Sequence, residues 1–282
     1  MRLILRYSRI NNLVFAYSCH NPVIFEEKPT NQIMLKKERQ AYILHQVNLH
    51  NKVLSSLLSH EIRVSEDTIR RDLMELNGEG KLIKVHGGAL SHSFNDVTYT
   101  GLSVYSQDQK KIIGQKAAAL IEDGMFVLTS GGTTIIEMAR ALPPALRATF
   151  ISGSIPAILE YMQHPSIEVV MIGDRVSKNA KITIGAEAIA KIKSINADLC
   201  FLGINAIDIR RGTTENDWEI AQLKKVMIDS SRKVVCCTIS EKINTLQPIH
   251  ICNIADIDIL ITELPPDAPV LKPYIDAGIQ VL

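Results

Sequence analysis

Residues 64–76, "VSEDTIRRDLMEL", set two adjacent arginines among acids. An arginine fork can bond a guanine edge in the major groove, and Thr or Arg can hold phosphate oxygens. At about 100° per residue on a helix, Ile69, Leu73 and Leu76 share one arc. Arg71 lies almost opposite, beside Asp67, with Thr68 and Arg70 flanking the outer face. Ser65 is a good N-cap, and Glu66 and Asp67 occupy the first turn, where the helix dipole favours anions. Asp67 with Arg71, in the favourable order, and Arg71 with Glu75 are (i, i+4) pairs, expected to hold Arg71 in one rotamer. Taken alone, the helix fits a solvated, ion-paired face somewhat better than a DNA-reading one, so its neighbours must decide.

A second set of candidates sits at turns. "TSGGTTIIEMAR", residues 129–140, places two glycines and two threonines between an apolar run and a helical pattern. Amides at a helix N-terminus, with hydroxyls, can cradle a phosphate, although such a turn is more often only tight. "SGS" at 152–154 and "IGD" at 172–174 fall at equivalent positions after later apolar runs. Ligands of open α/β sheets bind at the carboxyl ends of strands, so several such ends strengthen a binding-site reading. Asp174, Glu187 and Asp217 are available as a general base, but nothing in the sequence ties them into a constellation.

The elements that must position these residues change character along the chain. Ile43, Leu44 and Val47, then Val53, Leu54, Leu57, Leu58 and Ile62, recur at helical spacing, with a break at Asn48 to Asn51. Residues 36–76 therefore read as three short helices. "NGEGKLIKVHGGAL", 77–90, follows as a turn, a short strand around Leu82 and Val85, and a Gly-Gly break, with Lys81, Lys84 and His86 near the hairpin. Helix, helix, helix, hairpin is the order of a winged helix-turn-helix. Residues 91–107 are polar and aperiodic, a linker. From 108 onward a helix is followed by apolar runs at 125–129, 148–152, 167–172, 198–203, 233–238 and 256–262, which read as buried strands with helices between most of them. That alternation predicts a mostly parallel sheet covered on both faces. Residues 1–33 read as a disordered tail or an extension from an upstream start, with Met34 opening the first good helix.

Composition limits the partners. The 282 residues suffice for two domains, and 46% hydrophobic with 22% charged residues permits ordinary cores. A net charge of +1 excludes a global nucleic-acid signal, so DNA binding must rest on a local surface. The five cysteines, Cys19, Cys200, Cys236, Cys237 and Cys252, form no C-x-x-C pair and read as reduced core thiols in a cytoplasmic protein. No apolar run approaches the length of a bilayer span.

Residues 35–90 resemble the N-terminal domain of the DeoR family of bacterial transcription regulators, through "LSHEIRVSEDTIRRDL" (58–73) and "GKLIKVHGGA" (80–89). The resemblance implies that Ser65, Thr68, Arg70 and Arg71 lie on a DNA-recognition helix, with Asp67 beside them and Lys81, Lys84 and His86 on the wing. Residues 108–262 resemble that family's effector domain through "GGTTIIEMA", "IGAEAIAKI", "ADLCFLGINAID", "GTTENDWEIAQLKKVMI" and "DIDILITE". The cradle of Gly132, Thr133 and Thr134 is kept, as are Gly185, Lys224 and Lys242. The departures are at strand ends: Ser130-Gly131 replaces Asp-Ser, Ser152-Gly153 replaces Thr-Asn, and Gly173-Asp174 replaces Gly-Gly.

The expected architecture is an α/β chain: 1–33 a tail or extension, 34–90 a winged helix-turn-helix, 91–107 a linker, and 108–282 a Rossmann-like, mostly parallel α/β effector domain related to ribose-5-phosphate isomerase. The expected function is a DNA-binding transcription regulator, a repressor of carbohydrate metabolism genes gated by a phosphorylated sugar. Its expected partners are a double-stranded operator, that effector and further copies of itself, with no cofactor, metal or membrane. The effector set is Ser130, Gly131, Gly132, Thr133, Thr134, Ser152, Gly153, Gly173, Asp174, Gly185, Lys224 and Lys242. Two alternatives stand beside it: a sugar-phosphate isomerase or deaminase-like enzyme, and a DNA-bound regulator whose effector pocket has degenerated.

Overall fold

The winged domain forms because each helix buries one stripe. Helices α1 (Lys36–His50), α2 (Ser55–Ile62) and α3 (Glu66–Gly78) bring Ile43, Val47, Leu58, Ile69, Leu73 and Leu76 into one core. The computed structural model describes residues 34–91 and 104–282, together with the backbone of β1 (Arg6–Ile10), β2 (Leu13–Ser18) and β3 (Asn21–Glu26). Those strands pair antiparallel in chain order. Their sequences, "LVFAYS" and "NPVIFE", are rich in aromatic and β-branched residues and separated by two residues, a hairpin pattern. The rest of 1–33 lies outside the described residues, as do 92–103 of the expected linker.

After α1 the chain turns at Asn51, which adopts a left-handed conformation (φ 61°) suited to asparagine at a helix C-terminus. It enters β4 (Lys52–Leu54), whose pairing with β6 (Gly88–Leu90), itself paired to β5 (Ile83–Val85), makes the wing a three-stranded sheet. Gly88 is required there: a Cβ would lie 1.9 Å from the Val53 carbonyl oxygen.

The second domain begins with α4 (Gln107–Ala118) and is built on seven parallel strands. These are β7 (Phe126–Thr129), β8 (Thr149–Ser152), β9 (Glu168–Met171), β12 (Ala197–Gly203), β15 (Ser231–Cys237), β17 (Ile259–Ile261) and β18 (Gln280–Val281). Their spatial order is β18-β17-β15-β12-β7-β8-β9, and every pair is parallel. The six expected strands are all present. One correction applies: the run at 167–172 is not a buried strand but the sheet edge, where Val170 and Met171 are 41% and 50% exposed. Apolar content alone does not separate an edge from a centre.

Between the strands lie α5 (Thr133–Arg140), α6 (Ile155–Tyr161), α7 (Ala186–Lys193) and α8 (Trp218–Asp229), with α9 (Lys272–Asp276) preceding β18. Two antiparallel additions complete the domain: a hairpin of β10 (Arg175–Ser177) and β11 (Ile182–Ile184), and a small sheet of β13 (Ala206–Asp208), β14 (Gly212–Glu215) and β16 (Ile249–Cys252). Cys200, Cys236, Cys237 and Cys252 are free and buried, and burial pushes the thiols of Cys200 and Cys237 up to about 12. No helix among the described residues is long and apolar enough to cross a membrane.

The domains are packed together. Leu49, near the end of α1, joins the core of the second domain with Ile113 and Ile135. His45 of α1 and Tyr105 both meet Glu241, with Tyr105 Oη donating at 2.6 Å.

Candidate functional sites

On α3, the buried arc is Ile69, Asp72, Leu73 and Leu76, leaving Arg70, Arg71 and Met74 on the open face. Ser65 caps the helix, accepting from the Thr68 amide at 3.3 Å, and its hydroxyl lies 2.9 Å from the Thr68 hydroxyl. The helix is fixed from behind. Arg39 Nε of α1 donates to Asp72 Oδ2 at 2.5 Å and its Nη2 to Oδ1 at 3.2 Å. That hydrogen bond to Asp72 holds the Arg39 guanidinium above its ordinary pKa, against the opposing effect of burial.

The expected pairing of Arg71 is corrected. Arg70, not Arg71, takes the acids, with Nη1 3.4 Å from Asp67 and Nη2 3.8 Å from Glu66. Glu75 is held across the helix pair by Lys36 Nζ at 2.7 Å and Gln40 Nε2 at 2.8 Å. Arg71 is exposed and forms no ion pair among the described residues. The wing presents Lys84 and His86 to solvent, and the Lys84 amide is fixed by Asn77 Oδ1 at 2.8 Å. Lys81 is paired with Glu79 at 2.7 Å. Arg71→Ala is expected to lose about 1–3 kcal/mol of discrimination between specific and nonspecific duplexes, measured by competition binding. Equal weakening on both duplexes would make Arg71 a phosphate contact.

The second site follows from topology. Strands β7, β8 and β9 run one way across the sheet and β12, β15, β17 and β18 the other, so the order reverses between β7 and β12. Such a reversal opens a crevice at the strand ends. A cavity of about 130 Å³ lies there, lined by Ser130, Gly131, Gly132, Thr133 and Thr134 after β7 and by Gly203, Ile204 and Asn205 after β12. Gly132, with φ 117°, turns the chain into α5, whose first amides have no intrahelical partner.

Four lysines and two carboxylates line the cavity: Lys52, Lys110, Lys224 and Lys242 against Glu215 and Asp217. Lys224 Nζ donates to Glu215 Oε2 at 2.6 Å and to the Gly203 carbonyl at 2.9 Å. Burial alone would raise the Glu215 carboxyl, but Lys224 and the donors around it hold it below its ordinary value. Lys110, 7% exposed, donates to the Tyr105 carbonyl at 2.5 Å and has no carboxylate within ion-pair distance among the described residues. Burial, then the nearby Lys242 charge, lowers Lys110 to about 7. Burial, opposed by Glu215, lowers Lys242 to about 8. His50, also on the wall, is lowered to about 4 by burial and by Lys242, so it is neutral at physiological pH.

Of the expected effector residues, the structure brings Ser130, Gly131, Gly132, Thr133, Thr134, Lys224 and Lys242 together. Ser152, Gly153, Gly173, Asp174 and Gly185 do not line the cavity. Ser152 Oγ donates to the Thr129 carbonyl at 3.0 Å. Asp174 caps α7, its Oδ2 accepting from the amides of Glu187 at 2.9 Å and Ala188 at 3.2 Å. A side chain at Gly185 would collide with that carboxylate, its Cβ 2.4 Å from Oδ2. Glu187 is exposed outside the cavity, and Asp217 caps α8 while pairing with Lys52 at 3.4 Å. The three candidate general bases are therefore dispersed.

Sequence reasoning missed His50, Asn51, Lys52, Lys110, Asn205 and Glu215. Lys110 reads as one more surface lysine in "DQKK", and His50 meets Asn205 only across a sequence separation of 155.

A winged helix-turn-helix joined to a parallel α/β domain with a switch-point cavity defines a DNA-binding regulator with a sensor domain. Residues 39–94 match the DeoR-like helix-turn-helix domain and residues 105–264 the DeoR C terminal sensor domain. The chain belongs to the DeoR family of transcription regulators. It is 30% identical over 251 residues to the uncharacterized regulator YulB of Bacillus subtilis, covering 88% of this chain and 96% of YulB. It is 28% identical over 250 residues to the transcriptional regulator GolR of Listeria innocua, covering 88% and 98%, and 28% identical to the repressor GlcR of Bacillus subtilis, covering 83% and 91%. The family and these relatives are transcription regulators rather than enzymes. Similar solved structures include ribose 5-phosphate isomerase A of Methanocaldococcus jannaschii, with TM-score 0.37, 17% identity and coverage of 49% of this chain and 54% of that one. Another is eIF2B delta of Chaetomium thermophilum, with TM-score 0.41, 18% identity and coverage of 57% of each chain.

Proposed function

We propose that this regulator is a repressor whose operator affinity is set by a small phosphorylated metabolite, a sugar phosphate being the best fit, bound in the switch-point cavity. One observation carries the reading: Lys110, Lys224 and Lys242 line the cavity beside the open N-terminus of α5, where Glu215 is the one buried acid of the lining, with Glu137 and Glu241 nearby but outside it. Cations held out of water without a full complement of acids favour an anionic occupant. The hydroxyls of Ser130, Thr133 and Thr134 and the amide of Asn205 suit a polyhydroxylated body attached to that anion. The name of GlcR, a transcriptional repressor, supports the sign. A single helix-turn-helix covers one half-site, so operator binding calls for at least a dimer. The exposed Val170 and Met171 at the sheet edge, and Val176 on the β10–β11 hairpin, support self-association. The protein acts where its operator is, in the cytoplasm.

The mechanism is linkage: a ligand that favours one domain arrangement shifts DNA affinity by its differential binding free energy. The test uses sulfate, whose charge does not change across neutral pH. Lys110 and Lys242 are both protonated below about 7 and lose protons as the pH passes about 7 and about 8, so cavity charge falls over that window. Sulfate affinity, read from thermal shift or calorimetry, is expected to drop by about tenfold between roughly pH 6 and 9, one step of about 1.4 kcal/mol. Flat affinity across that range, with no sugar phosphate raising the melting temperature, would contradict an anion sensor.

A further inference from the structure

We propose that the effector is held between the two domains, with the turn His50–Asn51–Lys52 of the DNA-binding domain forming the ligand-contacting wall that senses it. The proposal rests on the anion-sensor reading and adds which part of the molecule registers the occupant. The occupant's chemical class is a small phosphate- or sulfate-bearing polyol.

The wall is built by residues far apart in sequence. His50 Nδ1 lies 3.1 Å from Asn205 Oδ1, and the Lys52 carbonyl accepts from Asn216 Nδ2 at 3.0 Å. Lys52 Nζ lies 3.4 Å from Asp217 Oδ2, with both side chains partly open to solvent. All five residues also line the cavity that holds the α5 N-terminus. The contact between domains and the cavity wall are thus built by the same residues. An anion entering beside Lys52 competes with Asp217 for its ammonium.

The same turn is the mechanical centre of the winged domain. His50 ends α1, whose Arg39 fixes the recognition helix through Asp72. Lys52 begins β4, which pairs Lys52 with Leu90 and Leu54 with Gly88 in the wing. Asn51 is itself tied to the last described residue of the winged domain, its carbonyl accepting from the Ser91 amide at 2.9 Å. A shift of this turn moves the recognition helix and the wing together relative to the sensor domain. No relay through the sheet or through a second subunit is needed.

The test uses the full-length protein with inorganic phosphate as probe and chloride at matched ionic strength as control. In hydrogen exchange, phosphate is expected to slow amides in 130–134 and in 49–54 together. Lys52→Ala is expected to weaken phosphate binding by about tenfold, the loss of one charge-assisted contact. Asp217→Asn is expected to strengthen it, because the competing acid is gone and an asparagine still caps α8. Protection at 130–134 alone, or equal weakening by both substitutions, would leave the anion sensor standing and overturn the shared wall, reducing residues 50–52 to an interdomain latch. Protection at neither segment would overturn both readings. The exchange pattern is read on the unsubstituted protein, so the proposal is tested whatever the variants' folding.

Discussion

Lys224→Met is expected to destabilise the sensor domain by about 3–5 kcal/mol and to abolish anion binding, because it strands a buried carboxylate. The side chains of Lys224 and Glu215 are each 6% exposed. Glu215 also accepts from Asn205 Nδ2 at 2.8 Å and from the Asn216 amide at 2.9 Å, so it cannot swing to solvent without breaking the loop that meets Lys52. Two hydrogen bonds do not offset an unpaired buried charge. The effect is read as a lower urea midpoint for the sensor-domain transition. Adding Glu215→Gln should recover most of the stability, since charge is then absent on both sides while the amide keeps an acceptor. It should not recover anion binding. Recovery of both by the double variant would show that Lys224 is structural and leaves the ligand to Lys110 and Lys242.

Asp72→Ala is expected to cost about 2–4 kcal/mol in the winged domain, the range for removing one partner of a desolvated, hydrogen-bonded ion pair. Asp72 is 1% exposed and takes a two-pronged bond from Arg39 plus a longer one from Gln40 at 3.4 Å. These bonds, with those from Lys36 and Gln40 to Glu75, set the angle between α1 and α3. The variant should weaken binding to every DNA sequence, because the recognition helix loses its orientation. This distinguishes it from Arg71→Ala, which should weaken discrimination while sparing nonspecific affinity. The measurement is a melting curve together with binding to matched and scrambled duplexes. Unchanged stability would mean that the apolar contacts of Ile69, Leu73 and Leu76 fix α3 by themselves.

The parts of the molecule that sequence made legible are those whose signal is local. The parallel strands show as near-continuous apolar runs, and Ser65 announces α3 because capping is a property of four consecutive residues. The small sheet was not legible: "AID", "GTTE" and "IHIC" are short and mixed, and β14 takes its two partners from either side in sequence. The partner of Glu75 was misassigned for a related reason. Intrahelical spacing offers Arg71, but Lys36 and Gln40 approach from another helix and win. Asp174 looked like a ligand carboxylate because it follows a strand; its role as the cap of α7 depends on the β10–β11 hairpin, which folds back to bring Glu187, 13 residues on, to it. Apart from Asp217, the cavity's far wall was invisible, since residues 50–52 and 205–217 meet only when the domains pack.

In the proposed mechanism, DNA affinity is governed by an anion in the switch-point cavity. The most direct measurement is selection of genomic fragments bound by the full-length protein, with and without a panel of sugar phosphates. Enrichment of fragments carrying a repeated or palindromic half-site is expected, with displacement of those same fragments by at least one phosphorylated sugar but not by its dephosphorylated form. Enrichment with no sequence in common, or a shared motif retained equally under every sugar phosphate, would contradict it.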